Sequence, residues 1–236
     1  MATPFLSSSS PSASSIFRFD RGCADVFLIP MFKDNYGFVL VDRATKLSAC
    51  IDPAQPERII DFIEENNLKN DVVLCTHKHN DHAGGNLAMQ VWNPNIKIIA
   101  TNYETIPGRN VPANDGDVFT LGSLKIETLY TPCHTVGHVC FLVTNPALSP
   151  PQPPILFCGD TLFVGGCGRF FEGTANDMVR NMNRLAALPD ETFVFCAHEY
   201  TLSNYEFLRS IDPRGVSARY EEVKGLRARN LPTIPR

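Results

Sequence analysis

From Ala24 onward the chain alternates short apolar runs with turn residues, and the runs are of strand length. ADVFLIP (24–30), YGFVLVD (36–42) and LSACID (47–52) are rich in β-branched or aromatic residues and predict three successive strands in an antiparallel meander. The period then changes. In PERIIDFIEENN (56–67) the residues Ile59, Ile60, Phe62 and Ile63 recur at helical spacing, and Pro56 suits a first turn, so a helix is expected. DVVLCT (71–76) follows as a buried strand. A helix near Asn86–Val91 and strands at KIIA (97–100), LKIETLY (124–130), VCFLVT (139–144) and ILFC (155–158) come next. A helix over 175–188, a last strand TFVFC (192–196) and two helices within 203–229 complete the reading. NPALSPPQPP (145–154), with five prolines, must be an exposed loop between two strands. Strands and helices fall into two rough halves, with helices enough to cover two sheets, which is an α/β layered architecture.

Composition and charge narrow what such a fold can do. The 236 residues are 44% hydrophobic, enough for a substantial core, yet no apolar run approaches the roughly 20 residues that span a bilayer, so no membrane association is expected. With 25 acidic against 21 basic side chains the net charge is −4, which argues against a nucleic-acid partner. The first twenty residues hold seven serines and no acid before Asp20. Residues 1–22 are therefore expected to form a disordered or organelle-targeting tail that adds little to the core. Eight cysteines include no Cys-x-x-Cys, and several lie inside apolar runs, so they read as reduced and mostly buried thiols.

The six histidines carry the chemistry. His77, His79, Asp81 and His82 leave the end of the 71–76 strand together, and a turn among them can present two pairs of ligands, hence two neighbouring metal ions. His134 follows the strand 124–130, Asp160 the run 155–158 and His198 the strand 192–196. Each donor sits at a strand exit, where loops from distant parts of a chain gather into one site. Mixed imidazole and carboxylate donors suit zinc, with iron or manganese also accommodated. His138 reads as a hydrogen-bonded structural histidine, and Cys133 and Cys167 as small packing residues. Asp160 alone would fit a turn cap, and Asp52, before Pro53, a turn-initiating aspartate.

The motifs THKHNDHAGGN (76–86), TPCHTVGH (131–138), GDTLFVGGCGRFFEGTA (159–175) and AHEYT (197–201) resemble the metallo-β-lactamase superfamily. Within it they are similar to glyoxalase II, the hydroxyacylglutathione hydrolases, over about residues 25–235. The resemblance implies a four-layer αββα sandwich with a short C-terminal helical extension: a metal-binding domain over 23–200 and a helical substrate-binding region over 201–236. It implies that His77, His79 and His134 hold one metal ion, that Asp81, His82 and His198 hold the other, and that Asp160 bridges both beside a bridging hydroxide. It gives Asp52 the orienting role, and Arg169, Phe170, Phe171 and Tyr200 contacts with a glutathione thioester.

The activity implied is hydrolysis of S-D-lactoylglutathione to D-lactate and glutathione, in methylglyoxal detoxification, by a cytoplasmic and monomeric enzyme, with a mitochondrial or plastid location as the alternative. Attack by the bridging hydroxide makes Asp81 and Asp160 the carboxylates closest to the chemistry. The family usually continues beyond LPTIPR with basic groups that hold the glycine carboxylate of glutathione. Weaker substrate binding is therefore expected, with Lys224, Arg227, Arg229 or Arg236 as candidate substitutes. A one-iron glutathione persulfide dioxygenase and a non-catalytic metal-bound protein that binds thiol conjugates are the alternatives. A nuclease of the same superfamily is disfavoured by the absence of a basic stripe.

Overall fold

A computed structural model describes residues 3–5, 16–22 and 24–235. Eight strands pair in sequence order to form the first sheet: β1 (Thr3–Phe5), β2 (Ile16–Arg21), β3 (Ala24–Met31), β4 (Asn35–Asp42), β5 (Leu47–Ile51), β6 (Lys69–Cys75), β7 (Lys97–Thr101) and β8 (Val111–Ala113). Pairing is antiparallel from β1 to β5, so the meander extends further than expected, and parallel from β5 to β8. The second sheet comprises β9 (Val118–Leu121), β10 (Leu124–Tyr130), β11 (Val139–Thr144), β12 (Ile155–Gly159) and, beyond a separate hairpin of β13 (Leu162–Phe163) and β14 (Gly166–Cys167), β15 (Phe193–Cys196), which lies parallel to β12. The proline-rich loop joins β11 to β12, as its composition requires.

The inner faces of the two sheets meet in a phenylalanine cluster. Phe38 of β4 lies 5.4 Å from Phe157 and 5.6 Å from Phe195, ring centre to ring centre, and Phe19 of β2 reaches Phe195 at 5.6 Å. Alternation along the strands sends the neighbouring side chains outward. On the first sheet these are Ile29, Val39 and Val73, covered by Ile59, Phe62 and Ile63 of α1 (Pro56–Glu65) and, beyond the one-turn α2 (Asn80–Ala83), by Met89 of α3 (Asn86–Trp92). On the second sheet Leu156 and Val194 line a groove with Met182 and Leu185 of α4 (Ala175–Ala186). Thr174 and Asp177 start α4 with a reciprocal capping box. α5 (Thr201–Ile211) and α6 (Pro213–Ala228) follow β15. The layers run α, β, β, α, the sandwich the motifs imply.

The Ser-rich start needs a correction. Ile16–Arg21 is a strand of the first sheet, and Phe17 and Phe19 are buried in the main core. Ile-Phe-Arg-Phe-Asp-Arg is a period-two pattern, and the serines before it masked that local signal. The expected tail boundary at 22 therefore falls inside the domain; residues 6–15 of that tail lie outside the described residues.

Phe157 is 1% exposed at the centre of the cluster. Phe157→Ala is expected to lower unfolding free energy by about 3–5 kcal/mol, the usual cost of emptying an aromatic site. Denaturant titration of both proteins at matched metal concentration checks this value.

Candidate metal centre

Five strand exits converge at one edge of the sandwich, and hydrogen bonds between them explain how. Asp52, just past β5, has a left-handed backbone (φ +48°), a conformation aspartate tolerates better than most residues. Its buried carboxylate accepts Thr76 N–H at 2.8 Å and the Thr76 hydroxyl at 2.7 Å, and it accepts His82 Nδ1–H at 2.9 Å. One carboxylate thus fixes the end of β6 and the ring of His82. Gly159 (φ +49°) closes the neighbouring loop; a Cβ there would stand 2.7 Å from both His138 Nε2 and Thr76 Oγ1.

Three more imidazoles are held from behind. His134 Nδ1 lies 2.9 Å from the Arg169 carbonyl, His77 Nδ1 3.1 Å from Thr76 Oγ1 and His198 Nδ1 3.2 Å from Asp34 Oδ1. A protonated Nδ1 in each leaves Nε2 as a lone pair facing inward. His79 alone presents Nδ1, 3.0 Å from His77 Nε2 and 2.9 Å from His134 Nε2. His82 and His198 oppose their Nε2 atoms at 3.3 Å, and Asp81 Oδ2 stands 3.7 and 3.6 Å from them. Asn35 Nδ2–H donates to Asp81 Oδ2 at 3.1 Å.

Asp160 joins the two groups. Its Oδ2 is 3.3 Å from His134 Nε2, while its Oδ1 is 3.3 Å from both His82 and His198 Nε2. That Oδ1 is buried without a hydrogen-bond partner among the described residues. Burial opposes ionisation of Asp160, but His82 and His198 outweigh it and hold the carboxyl below its ordinary range. Burial and the surrounding imidazoles push His77 well below its ordinary value, which keeps it neutral.

Ring nitrogens of His77, His79 and His134 about 3 Å apart, with the buried Asp160 carboxylate between them and His82 and His198, are the arrangement a cation resolves. Four donors around zinc at about 2.0–2.2 Å would stand roughly 3.3 Å from one another. His77, His79 and His134 form one candidate donor group, Asp81, His82 and His198 another, and Asp160 also groups with His77 and His82. The residues fit divalent metal ions.

His138 is not among these donors. Its Nε2 accepts Asp160 N–H at 3.0 Å and its Nδ1–H faces the Thr131 and Thr161 hydroxyls, while burial holds its pKa down to about 3. It is the structural histidine expected, and it anchors the Asp160 backbone.

Around the mouth, Arg169 lies over the Phe171 ring at 5.2 Å, and Phe171 packs edge-on to His134 and His79 at 5.2 and 5.8 Å. Phe170 is exposed next to it. Tyr200 stacks on His198 at 4.6 Å, and burial pushes its hydroxyl up to about 12. Cys133 is buried, as expected. Cys167 is exposed, which corrects the packing role expected of it: it lies on β14, the exposed strand of a two-stranded hairpin. The candidate basic substitutes divide. Arg227 bonds the Leu231 carbonyl, Arg229 the Gly225 carbonyl, Lys224 approaches the Tyr220 ring, and Arg236 is outside the described residues.

Asp34 and Asn35 are site residues that the sequence reading missed. Both sit in the β3–β4 hairpin, where Asp-Asn reads as turn chemistry, and nothing local marks them as facing a histidine 164 residues away.

A double-sheet sandwich with this cluster at one edge is the arrangement of a divalent-metal hydrolase. Residues 41–198 match the metallo-beta-lactamase superfamily. A cytoplasmic hydroxyacylglutathione hydrolase of Arabidopsis thaliana is 40% identical over 214 residues, which is 89% of this chain and 82% of the relative. Among solved structures, ETHE1 from Myxococcus xanthus superposes with a TM-score of 0.61 at 28% identity, covering 72% of this chain and 76% of that one. A metallo-beta-lactamase from Staphylococcus aureus subsp. aureus COL gives 0.61 at 25% identity, over 70% of this chain and 52% of that one. The chain belongs to the metallo-beta-lactamase superfamily and, within it, to the hydroxyacylglutathione hydrolases.

Proposed function

We propose that the protein hydrolyses S-D-lactoylglutathione and related 2-hydroxyacylglutathione thioesters to the hydroxy acid and glutathione. The observation that carries this reading is Asp160, whose two oxygens each face a different group of histidines. In this reading His77, His79 and His134 would hold one ion and Asp81, His82 and His198 the second, with Asp160 placed to serve both; zinc is the first choice, with iron or manganese compatible with the same donors. Bound divalent ions supply an activated water near neutral pH and a Lewis acid for the thioester carbonyl.

The chain's own residues do the rest. Asp52, Asp34, Thr76 and the Arg169 carbonyl fix the ring orientations, so little reorganisation accompanies reaction. The Arg169 guanidinium offers a cation to the substrate carboxylates, Phe171 and Phe170 offer an apolar wall, and the Tyr200 hydroxyl, protonated at neutral pH, offers a hydrogen bond. A buried thiol or serine nucleophile is unnecessary.

Arg169→Ala removes one charge-assisted contact worth about 1.5–3 kcal/mol, so KM is expected to rise at least about tenfold with kcat little changed. Steady-state kinetics that follow released thiol check this; an unchanged KM sinks the role given to Arg169. A one-iron dioxygenase reading leaves Asp81, His82 and His198 without an occupant, which is why the hydrolase is preferred. The same reading places the protein in the cytoplasm, as the Arabidopsis relative's name states for that protein. No helix among the described residues is long and apolar enough to cross a membrane. Imaging a fusion of residues 1–22 to a fluorescent protein distinguishes the organelle alternative.

A further inference from the structure

Glu104 belongs to no motif and no ligand group, yet it is a buried carboxylate at the seam between the two sheets. It follows β7 of the first sheet, and its side chain is only 3% exposed. One oxygen, Oε1, accepts Lys78 N–H at 2.9 Å and the Thr135 hydroxyl at 3.1 Å; the other, Oε2, accepts Gly137 N–H at 3.1 Å. The Lys78 ammonium adds an ion pair at 3.7 Å. Lys78 lies between His77 and His79 on the first-sheet loop. Thr135 and Gly137 lie between His134 and His138 on the second-sheet loop.

We infer that Glu104 is a positioning residue that clasps the two loops carrying His77, His79 and His134, and so sets the affinity of that metal position selectively. The inference rests on the proposed dinuclear site. A carboxylate that accepts three hydrogen bonds from two loops holds them at a fixed separation, and charge-assisted bonds of this kind are about twice as strong as neutral ones. Among the described residues no bond of Glu104 goes to Asp81, to His82 or to the loop of His198, which are held instead from Asn35, Asp52 and Asp34, so the second position should be the less sensitive of the two.

Gly137 supplies an independent reason. A Cβ on it would stand 2.3 Å from Glu104 Cγ and 2.7 Å from Glu104 Cβ, atoms near the root of the side chain that cannot swing aside cheaply. Glycine at 137 is therefore the space Glu104 occupies. Gly137→Ala should eject the carboxylate without changing any charge.

The test titrates metal-free protein with zinc against a competing chromophoric chelator, for the wild type, Glu104→Gln, Gly137→Ala and Thr135→Val. Glu104→Gln puts an amide donor where N–H and O–H groups already point. The expected result is one zinc position weakened about 10- to 100-fold in Glu104→Gln and Gly137→Ala, the scale seen when groups behind metal ligands are altered. A smaller shift of the same position is expected in Thr135→Val, and the other position stays within about twofold throughout. Near-UV circular dichroism verifies that each protein is folded, and Thr135→Val, which loses only a hydroxyl, carries the test if a larger change prevents folding. Unchanged affinity at both positions, or equal weakening of both, overturns the clasp. If the wild type itself binds fewer than two zinc ions, the dinuclear reading fails instead.

Discussion

Asp160→Ala is expected to cut thioester hydrolysis by roughly 10³-fold or more, at least the loss that follows removal of a principal electrostatic stabiliser from an active site. Several features make this carboxylate more consequential than its neighbours. It is the carboxylate that faces both histidine groups among the described residues, at 3.3 Å on each side. Its Oδ1 is buried with no well-formed hydrogen bond among the described residues and faces the Nε2 atoms of His82 and His198 at 3.3 Å, a position a cation would complete. Its backbone is fixed by His138, so the side chain, not the loop, is what the substitution removes. Asp160→Asn is the sharper comparison, because it keeps shape and removes charge. Both variants should fold and both should lose activity, with bound metal measured on the same samples falling below that of the wild type. Full activity in Asp160→Asn would remove this residue from the centre of the account.

Removal of metal should have the second large effect, and it should be visible in stability as well as in rate. Without a cation, the lone pairs of His77, His79 and His134 face one another about 3 Å apart, and Asp160 Oδ1 is orphaned. A ligand present at a thousand times its dissociation constant stabilises the folded state by about 4 kcal/mol. For a domain of this size each kcal/mol moves the melting temperature by about 2–4 °C, so stripping even one such ion should lower Tm by roughly 8–16 °C. Hydrolysis should vanish with the metal and return on adding zinc. Calorimetry before and after dialysis against a chelator, followed by zinc addition, measures both effects. Full activity after metal has been shown by elemental analysis to be gone would contradict the mechanism.

Much of this site was legible in the sequence because its logic is local. A His-x-His-x-Asp-His run at the end of an apolar strand declares both its chemistry and its position, and His134, Asp160 and His198 repeat the strand-exit placement. Asp52 was half legible: its position before Pro53 reads as a turn, and its bond to His82 is visible only in the structure. Asp34, Asn35 and Glu104 were not legible, since their significance lies in contacts between the two sheets and their own neighbourhoods look like ordinary turns. The same division holds for the fold. Long apolar strands such as β3, β4 and β10 were evident, whereas β8, β13 and β14, of two or three residues, are too short to establish a period. β2 was hidden by its serine-rich approach, although Phe17 and Phe19 alternate as a half-buried strand should.

The most direct measurement combines two assays on one preparation: metal content per chain, and release of thiol from S-D-lactoylglutathione. The account predicts two divalent ions per chain and hydrolysis of the thioester that scales with metal occupancy. Two bound ions with no hydrolysis, or a single iron with sulfite formed from glutathione persulfide, would contradict it.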